Sequence, residues 1–459
     1  MTPLGVIRVP ERRRVRVRLA KRKRIFEPDR KSLLAALLLP ALALPTLPIW
    51  AQDNTSLPSW LGNVSGSVRT GYWSRSLSLN GAENIFTGAV WARDKLNLGA
   101  FGQVNVDGWA GGPTQVGKNT DGDPFLNDHV YGRLRQFEWQ GALGDFDIQV
   151  GRQMFFWGRA DGINPTDNLT PRDYLQLTPY ESDQRFGDFA VSTTYHRGDY
   201  ALQMIWQPEF QTSLIPLTPI AGVTYGYTGP HATFGQGALK LEHTGGSVDW
   251  SASYYSGYDV LPDVAPAGIG PGGLAIGVTN HREQVLGADF SSTIGEYVLR
   301  GEIGWAIRGG EGLDAFFQKR SQVALVIGGD RNFVGQLNIN LQYWAQKVIG
   351  YQSPDSLPDP ILRQIAVYES VLANQVDSFE HGVTLRAAYN WANDTWSAET
   401  SGIAIFTPGG YRLRSRINHS ITDHFQAIAG FEYFNGPSRS IFGYLNKTST
   451  AYCELRYVF

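Results

Sequence analysis

The chain contains a single cysteine, Cys453, so it can form neither an intramolecular disulfide nor a zinc site built on several thiolates. Charged residues are also scarce, at 18% of the sequence. No apolar run reaches the roughly 18 residues that a membrane-spanning helix requires. These shortages exclude a disulfide-stapled secreted domain and a helical membrane protein.

Aromatic residues and glycine, by contrast, are abundant. The sequence holds 13 Trp, 12% aromatic residues and 52 Gly. This combination suits a chain that presents one face to lipid and the other to water.

Basic residues are concentrated at the N-terminus. Residues 1–32 carry 12 Lys and Arg against 3 Asp and Glu, which leaves 28 basic and 39 acidic residues and a net charge near -11 in the rest. The apolar run Leu33–Leu44 follows and is too short for a transmembrane helix, and Ala51 offers a small residue for cleavage. We therefore predict that residues 1–51 are an export signal with a long basic n-region. The alternative is a basic nucleic-acid-binding arm, which the acidic remainder does not favour, so no nucleic-acid partner is predicted.

We expect the exported protein to begin near Gln52. The intact mass of the protein from an outer-membrane fraction checks this, because cleavage removes the whole basic segment. A protein that retains its basic N-terminus would contradict the predicted signal.

After Ala51 the sequence falls into segments of about ten residues in which apolar and polar side chains alternate. The clearest segment is the last, whose apolar or small face consists of Ala451, Cys453, Leu455, Tyr457 and Phe459. Residues 298–308 and 411–417 repeat the alternation. Such segments predict strands with one face towards lipid, including the Cys453 side chain, and the other towards a polar interior.

The connections between these segments alternate in length. Tight turns are predicted near Asp94-Lys95, Gly144-Asp145, Gly198-Asp199, Gly245-Gly246, Gly295-Glu296, Asn332-Phe333, Asn393-Asp394 and Asp423-His424. Longer connections are predicted over Gly111–Asp128, Gly158–Gly187, Gln211–Pro230, Leu261–Asn280 and Ser353–Asp377. This pattern predicts an all-β fold, a transmembrane antiparallel β-barrel of about 18 strands, with 16 also compatible, that has long outer loops and short periplasmic turns.

We assign residues 52–61 to a short periplasmic segment and residues 62–459 to the barrel, located in the bacterial outer membrane. The end of the last strand, with Tyr457 and Phe459, resembles the assembly signal of outer-membrane barrels. The expected partners are therefore outer-membrane lipid, lipopolysaccharide and the barrel-assembly machinery. Eighteen strands make a barrel too wide for side chains alone to fill, so a lumen is expected.

The most distinctive connection is the predicted third outer loop, Trp157–Gly187, which is stiffened by three prolines. Its charged residues include Asp161, Asp167, Arg172, Asp173, Glu181, Asp183 and Arg185. A long, proline-rich, charged loop is able to fold into a lumen and form its constriction. Alternatively, the loop lies on the rim and is pinned by its own Asp–Arg pairs.

The second candidate is the row Arg412, Arg414 and Arg416, which a strand places on one face. A charge directed into lipid costs about 2–4 kcal/mol at the bilayer midplane, so this face is expected to line the lumen. Further predicted lumen residues are Arg386, Arg300, Glu302, Lys240, Glu242, Arg456 and Glu454. The arginines would attract an anionic solute, or they would pair with lumen carboxylates and stiffen the wall.

Catalytic and metal sites find little support. Asn418-His419-Ser420 has the residue types of a lipase triad, but neighbouring residues of a strand point to opposite faces. Asp423-His424 belongs to a predicted turn. Asn119, Asp121 and Asp123 have the spacing of a calcium loop, but Pro124 and Val130 occupy positions that need Gly and Glu. No enzyme activity, cofactor or metal is predicted.

One stretch resembles a known group of barrels. Val150-Gly151-Arg152-Gln153, Trp157-Gly158 and Ile163-Asn164-Pro165 resemble porin-like families of Gram-negative bacteria, near the alginate-export type of 18-stranded barrel. The resemblance implies passage of an anionic polysaccharide. The resulting hypothesis is a channel for diffusion or export of hydrophilic solutes or polysaccharide, whose selectivity is set by the third loop and the lumen arginines. The alternatives are an outer-membrane enzyme acting on lipid and a loop-occluded structural or adhesin barrel.

Overall fold

A computed structural model describes residues 64–115, 131–230, 232–270, 273–333 and 336–459. The predicted export signal, the segment 52–61 and the calcium-like residues Asn119, Asp121 and Asp123 lie outside the described residues.

The described residues form 21 strands, numbered in chain order. They are β1 Ser65–Arg75, β2 Glu83–Asn97, β3 Gln103–Gln115, β4 Tyr131–Leu143, β5 Phe146–Gln153, β6 Asp188–Arg197, β7 Tyr200–Glu209, β8 Val223–Tyr227, β9 Ala232–His243, β10 Asp249–Tyr258, β11 Asp263–Gly270, β12 Gly273–Thr279, β13 Arg282–Ile294, β14 Tyr297–Arg308, β15 Gln322–Phe333, β16 Leu337–Val348, β17 Phe379–Trp391, β18 Trp396–Ile405, β19 Gly410–Ser420, β20 Phe425–Asn435 and β21 Thr450–Val458.

Eighteen of these strands form one closed antiparallel barrel. Each strand pairs with its neighbour along the chain, except that β7 pairs with β9 and β10 with β13, and β21 closes the ring against β1. The remaining three, β8, β11 and β12, form a separate small sheet. The predicted antiparallel barrel of 18 strands is confirmed.

The side chains of β14 illustrate why these sequences form a membrane barrel. Leu299, Ile303, Trp305 and Ile307 are exposed on the outer face, whereas Glu302 is buried on the inner face. In a bilayer every backbone polar group must be paired, and a closed barrel with an apolar exterior meets that condition. The predicted location in the bacterial outer membrane follows from this architecture.

Among the described residues, none of the helices is long and apolar enough to cross a membrane.

Six of the eight predicted turns lie between barrel strands as expected. The prediction at Asp94-Lys95 was wrong, because both residues belong to β2 and the turn follows at residues 98–102. Asn332-Phe333 was placed slightly early, since these are the last two residues of β15. Asp94 and Lys95 were interpreted as a turn because they are polar. A strand end that extends beyond the membrane also tolerates polar side chains.

The outer loops contain structure that the sequence pattern did not reveal. The connections predicted over Gln211–Pro230 and Leu261–Asn280 contain the small sheet, in which β12 pairs parallel with β8 and antiparallel with β11. The predicted connection Ser353–Asp377 contains helix α1, Pro360–Leu372. The connection predicted over Gly111–Asp128 was placed too early at its start, because Gly111 belongs to β3. The remaining helices are α2 Ile441–Tyr444 and the short 3-10 turns Gly99–Phe101, Glu181–Gln184, Gly312–Phe316, Pro354–Ser356 and Leu445–Thr448.

The C-terminal residue takes part in closing the barrel. Gly66 N donates a hydrogen bond to Phe459 O at 2.9 Å, and Phe459 N donates to Gly66 O at 3.1 Å. A Cβ at position 66 would lie 2.8 Å from the Phe459 ring, so glycine makes room for that ring. Phe459 therefore fastens the last strand to the first.

Deleting Phe459 is expected to lower the yield of folded barrel without lowering synthesis, because both closing hydrogen bonds and the ring contact are lost. The mobility of heated and unheated outer-membrane samples on denaturing gels measures the folded fraction. Phe459→Tyr, which keeps the backbone bonds and the ring, is the control. A normal folded fraction in the deletion variant would contradict this role.

Candidate functional site

The third outer loop, residues 154–187 and here called L3, crosses the barrel interior. At one side Arg159 donates to Asp289 on β13 at 2.7 Å. At the other side Arg69 on β1 donates to Asp183 at 2.6 Å. Strands β13 and β1 are nine strands apart in the ring of 18, so they lie opposite each other. L3 therefore spans the lumen.

A buried wall carboxylate holds the first half of L3. Glu302 on β14 is 2% exposed, and its Oε2 accepts hydrogen bonds from the backbone N–H groups of Arg159 and Ala160 at 3.1 Å each. Its Oε1 accepts from Thr166 N and Oγ1 at 2.8 Å each. A Cβ at Gly158, whose φ is +89°, would lie 2.5 Å from this carboxylate. The sequence predicted Glu302 as a lumen charge. In the structure this residue binds L3 and anchors the loop to β14.

Several charges of L3 pair within the loop or at its edge. Asp167 accepts from Arg172 at 2.9 Å and from Arg185. Asp173 is buried and lies 3.4 Å from Arg133 on β4. These pairs shape the loop, and Arg172 also lines a cavity between L3 and the outer loops.

The arginine row on β19 faces L3 and is paired with carboxylates. Arg412 Nε donates to Glu432 Oε1 on the neighbouring strand β20 at 2.6 Å, and Arg412 Nη2 donates to Glu181 of L3. Arg414 lies 3.3 Å from Glu181 and 3.5 Å from Glu432. Two wall arginines and two carboxylates thus form one cluster that joins L3 to the wall.

A second set of pairs lies deeper in the barrel. Arg416 Nη2 lies 2.8 Å from Glu399 on β18, and Arg386 on β17 donates to the same carboxylate at 2.8 Å. Arg386 also faces Asp161 of L3 across 3.9 Å, and both of these side chains are more than a third exposed. The Arg386–Asp161 pair is therefore the most loosely held contact between L3 and this wall.

Two cavities meet between L3 and β19. The inner cavity, of about 230 Å³, lies between L3 and the wall of β16 to β19. The outer vestibule, of about 320 Å³, is bordered by outer-loop residues that include Pro216, Leu261 and Tyr444. The residues common to both linings are Gly162, Glu181, Ile403, Arg412 and Arg414. We call this junction the constriction.

Another part of L3 is packed against the wall formed by β1 and β21. Leu177 and Tyr180 contact the buried aromatic pair Trp73 and Tyr452, whose rings stack at 4.3 Å. A cavity of about 40 Å³ lies near Arg69 and Trp91. It is smaller than the two cavities beside the arginine row.

The remaining predicted lumen charges face the interior as pairs. They do not belong to the linings of the inner cavity or the outer vestibule. Arg300 lies 3.0 Å from Asp330, Lys240 lies 3.6 Å from Glu242, and Arg456 lies 2.7 Å from Glu454. They are wall charges, and Arg456 also lies over the Tyr180 ring of L3 at 5.0 Å.

Helix α1 covers the vestibule through a buried polar contact. Glu369 Oε2 on α1 accepts from Val264 N on β11 at 2.6 Å. Burial and the neighbouring Asp263 raise the pKa of the Glu369 carboxyl well above its usual range. Tyr368 on the same helix bonds Tyr444 at 2.8 Å, which ties α1 to α2. The sequence pattern did not indicate this cap, because its contacts join loops far apart in the chain.

The residues examined for catalysis behave as wall and turn residues. The His419 ring stacks on Trp396 at 3.9 Å on the outer face of the barrel, and Asp423-His424 lies in a turn. Within the described ranges, no group of three or more His, Cys, Asp or Glu side chains could hold a metal ion.

The fold and the site define a class: a closed transmembrane barrel whose third loop crosses and narrows the lumen. No protein-family model matches the sequence, and no curated protein sequence matches it. Several solved structures, however, are similar to this chain. A BenF-like porin from Pseudomonas fluorescens Pf-5 is 12% identical with a TM-score of 0.50, over 86% of this chain and 97% of that one.

Two further similar structures are OccAB2 of Acinetobacter baumannii and the outer membrane protein opdK of Pseudomonas aeruginosa. OccAB2 is 12% identical with a TM-score of 0.49, over 88% of this chain and 99% of that one. The opdK protein is 10% identical with a TM-score of 0.48, over 86% and 98%. At such low identity a likeness concerns the fold alone. The likeness to the BenF-like porin, together with the 18-stranded barrel, confirms the predicted porin-like barrel, and the alginate-export type stays a prediction.

Proposed function

We propose that the protein is a channel through which small hydrophilic solutes, anions in particular, diffuse across the outer membrane. The observation that carries this proposal is the constriction, where two cavities meet between L3 and the arginine row. A passage narrowed by a loop with fixed charges is how selective pores discriminate among solutes.

The size of the two cavities favours small solutes. Their volumes of about 230 and 320 Å³ are near the lower end of the range for small-molecule pockets, roughly 300–1,000 Å³. Export of an anionic polysaccharide, which the alginate-export resemblance implies, would require L3 to leave the lumen. It stays a separate prediction.

The arginines around the two cavities are paired with carboxylates, which favours only moderate anion selectivity. The four arginines Arg386, Arg412, Arg414 and Arg416 face four carboxylates, Asp161, Glu181, Glu399 and Glu432. The formal charges balance, so selectivity depends on which partners yield to a solute. Opposed charges on L3 and on the wall would also orient a polar solute as it passes.

The purified protein in planar bilayers tests the proposal. We expect ion conductance, and in liposome-swelling assays we expect uptake that falls steeply from a monosaccharide to a trisaccharide. Absence of both would overturn the channel proposal and favour a loop-occluded barrel, for which the cap of α1 and the small sheet is the supporting observation. Hydrolysis of added phospholipid would favour the enzyme alternative.

A further inference from the structure

The Glu181 carboxylate of L3 binds the wall arginines that a passing anion would otherwise bind. Its carboxylate bonds Arg412 and lies 3.3 Å from Arg414, and all three residues belong to the linings of both cavities. The carboxylate therefore lies at the junction of the vestibule and the inner cavity. This contact also joins L3 to β19 across the constriction.

We propose that Glu181 is an internal competitor that keeps the constriction closed by binding Arg412 and Arg414, and that a small anion opens it by taking the place of this carboxylate. The inference rests on the proposed channel function. It proposes that one loop residue controls the access of solutes to the inner cavity. The channel proposal requires only that a passage exists between the two cavities.

The burial of the partners favours exchange at Glu181. The Glu181 side chain is 41% exposed, whereas Arg412 and Arg414 are 19% and 5% exposed. Glu432 is as buried as Arg414 and belongs to the wall. The exposed carboxylate on the loop is thus the partner that solvent and solute reach first.

The arginines are suited to bind an anion in place of Glu181. A guanidinium group has five N–H donors in a planar fork suited to carboxylate and similar oxyanions. An arriving anion would therefore accept hydrogen bonds from the same Nη groups of Arg412 and Arg414 that contact the Glu181 carboxylate.

Protonation is not an effective way to release Glu181. Arg412 and, to a smaller extent, Arg414 lower the pKa of the Glu181 carboxyl to about 2. The carboxylate stays charged down to pH values near that pKa. Displacement by a competing anion therefore remains as the route to opening at neutral pH.

Two isosteric variants separate this role from a simple charge effect. Glu181→Gln and Glu432→Gln each remove one negative charge from the same two arginines, but only Glu181 belongs to L3. In planar bilayers at low salt, both variants should raise the anion-to-cation permeability ratio by about fourfold. One charge roughly 10 Å away in water changes the permeability of an anion and that of a cation by about twofold each, in opposite directions.

The open fraction of the channel distinguishes the two variants. In the wild type, replacing chloride by acetate at constant ionic strength should raise the open fraction, because acetate mimics the Glu181 side chain. E181Q should remain open and insensitive to acetate, whereas E432Q should respond as the wild type does. Equal open fractions and equal acetate responses in E181Q and E432Q would overturn the proposal.

Glu181→Asp provides a second test if E181Q does not fold. Aspartate keeps the charge but is one methylene shorter, so it should raise the open fraction and leave ion selectivity unchanged. An open fraction equal to that of the wild type would overturn the competitor role. A wild-type protein that does not conduct at all would instead overturn the proposed function.

Discussion

Replacing Glu302 by alanine is expected to enlarge the single-channel conductance and to lower the free energy of unfolding by roughly 1–3 kcal/mol. The carboxylate accepts four hydrogen bonds from L3 and is 2% exposed. Its loss leaves buried N–H donors without a partner, which costs more than the net value of the bonds themselves. The first half of L3 should then move away from β14 and widen the lumen.

Conductance in planar bilayers and unfolding in denaturant measure the two effects of Glu302→Ala. Glu242→Gln is the matched control, since Glu242 contacts L3 only through Arg159, which keeps Asp289 as a partner. It should leave both quantities close to the wild-type values. An unchanged conductance in Glu302→Ala would mean that L3 is positioned by its other contacts.

Replacing Arg412, Arg414 and Arg416 together by glutamine should lower the anion-to-cation permeability ratio by more than about tenfold at low salt. One charge roughly 10 Å away changes this ratio by about fourfold in water, and three such changes multiply. The partner carboxylates Glu181 and Glu432 remain, so the constriction becomes strongly negative. Salt should weaken the effect, because the screening length falls to about 8 Å at 0.15 M.

Reversal potentials across a salt gradient measure the selectivity of the triple variant, and gel mobility before and after heating shows whether the barrel assembles. Lys240→Gln is the control, because Lys240 pairs with Glu242 on β9, eight strands away from β19 in the ring. It should shift the ratio far less. If an assembled, conducting triple variant keeps the wild-type ratio at low salt, the arginines serve only as ties within the wall.

The barrel itself was predictable because its signals are local. In β21 the Cys453 and Leu455 side chains are exposed on the outside and Glu454 is buried inside, as the alternation predicts. Each strand shows this period on its own, because successive side chains point to opposite faces. The alternation of short and long connections then predicted the antiparallel order.

The site was predictable only in part, because charge pattern does not specify partners. Arg412, Arg414 and Arg416 do line the interior, yet the sequence did not decide between a free basic strip and wall pairs. Glu302 was grouped with the lumen charges, although its partners lie in L3, more than 130 residues earlier in the chain. Glu181 was one of eight charged residues in the loop, with nothing in its neighbourhood to mark it as the residue that reaches β19.

By itself, the sequence determined the class of the protein: an outer-membrane barrel with an apolar exterior, a polar interior and a long third loop. The alternation rule and the bilayer act on each strand separately, so a single sequence suffices for that conclusion. Only the tertiary structure decided where L3 lies, which arginines Glu181 binds and how α1 covers the vestibule. These contacts join residues brought together by closure of the ring, and a pattern read along one strand carries no information about the strand opposite.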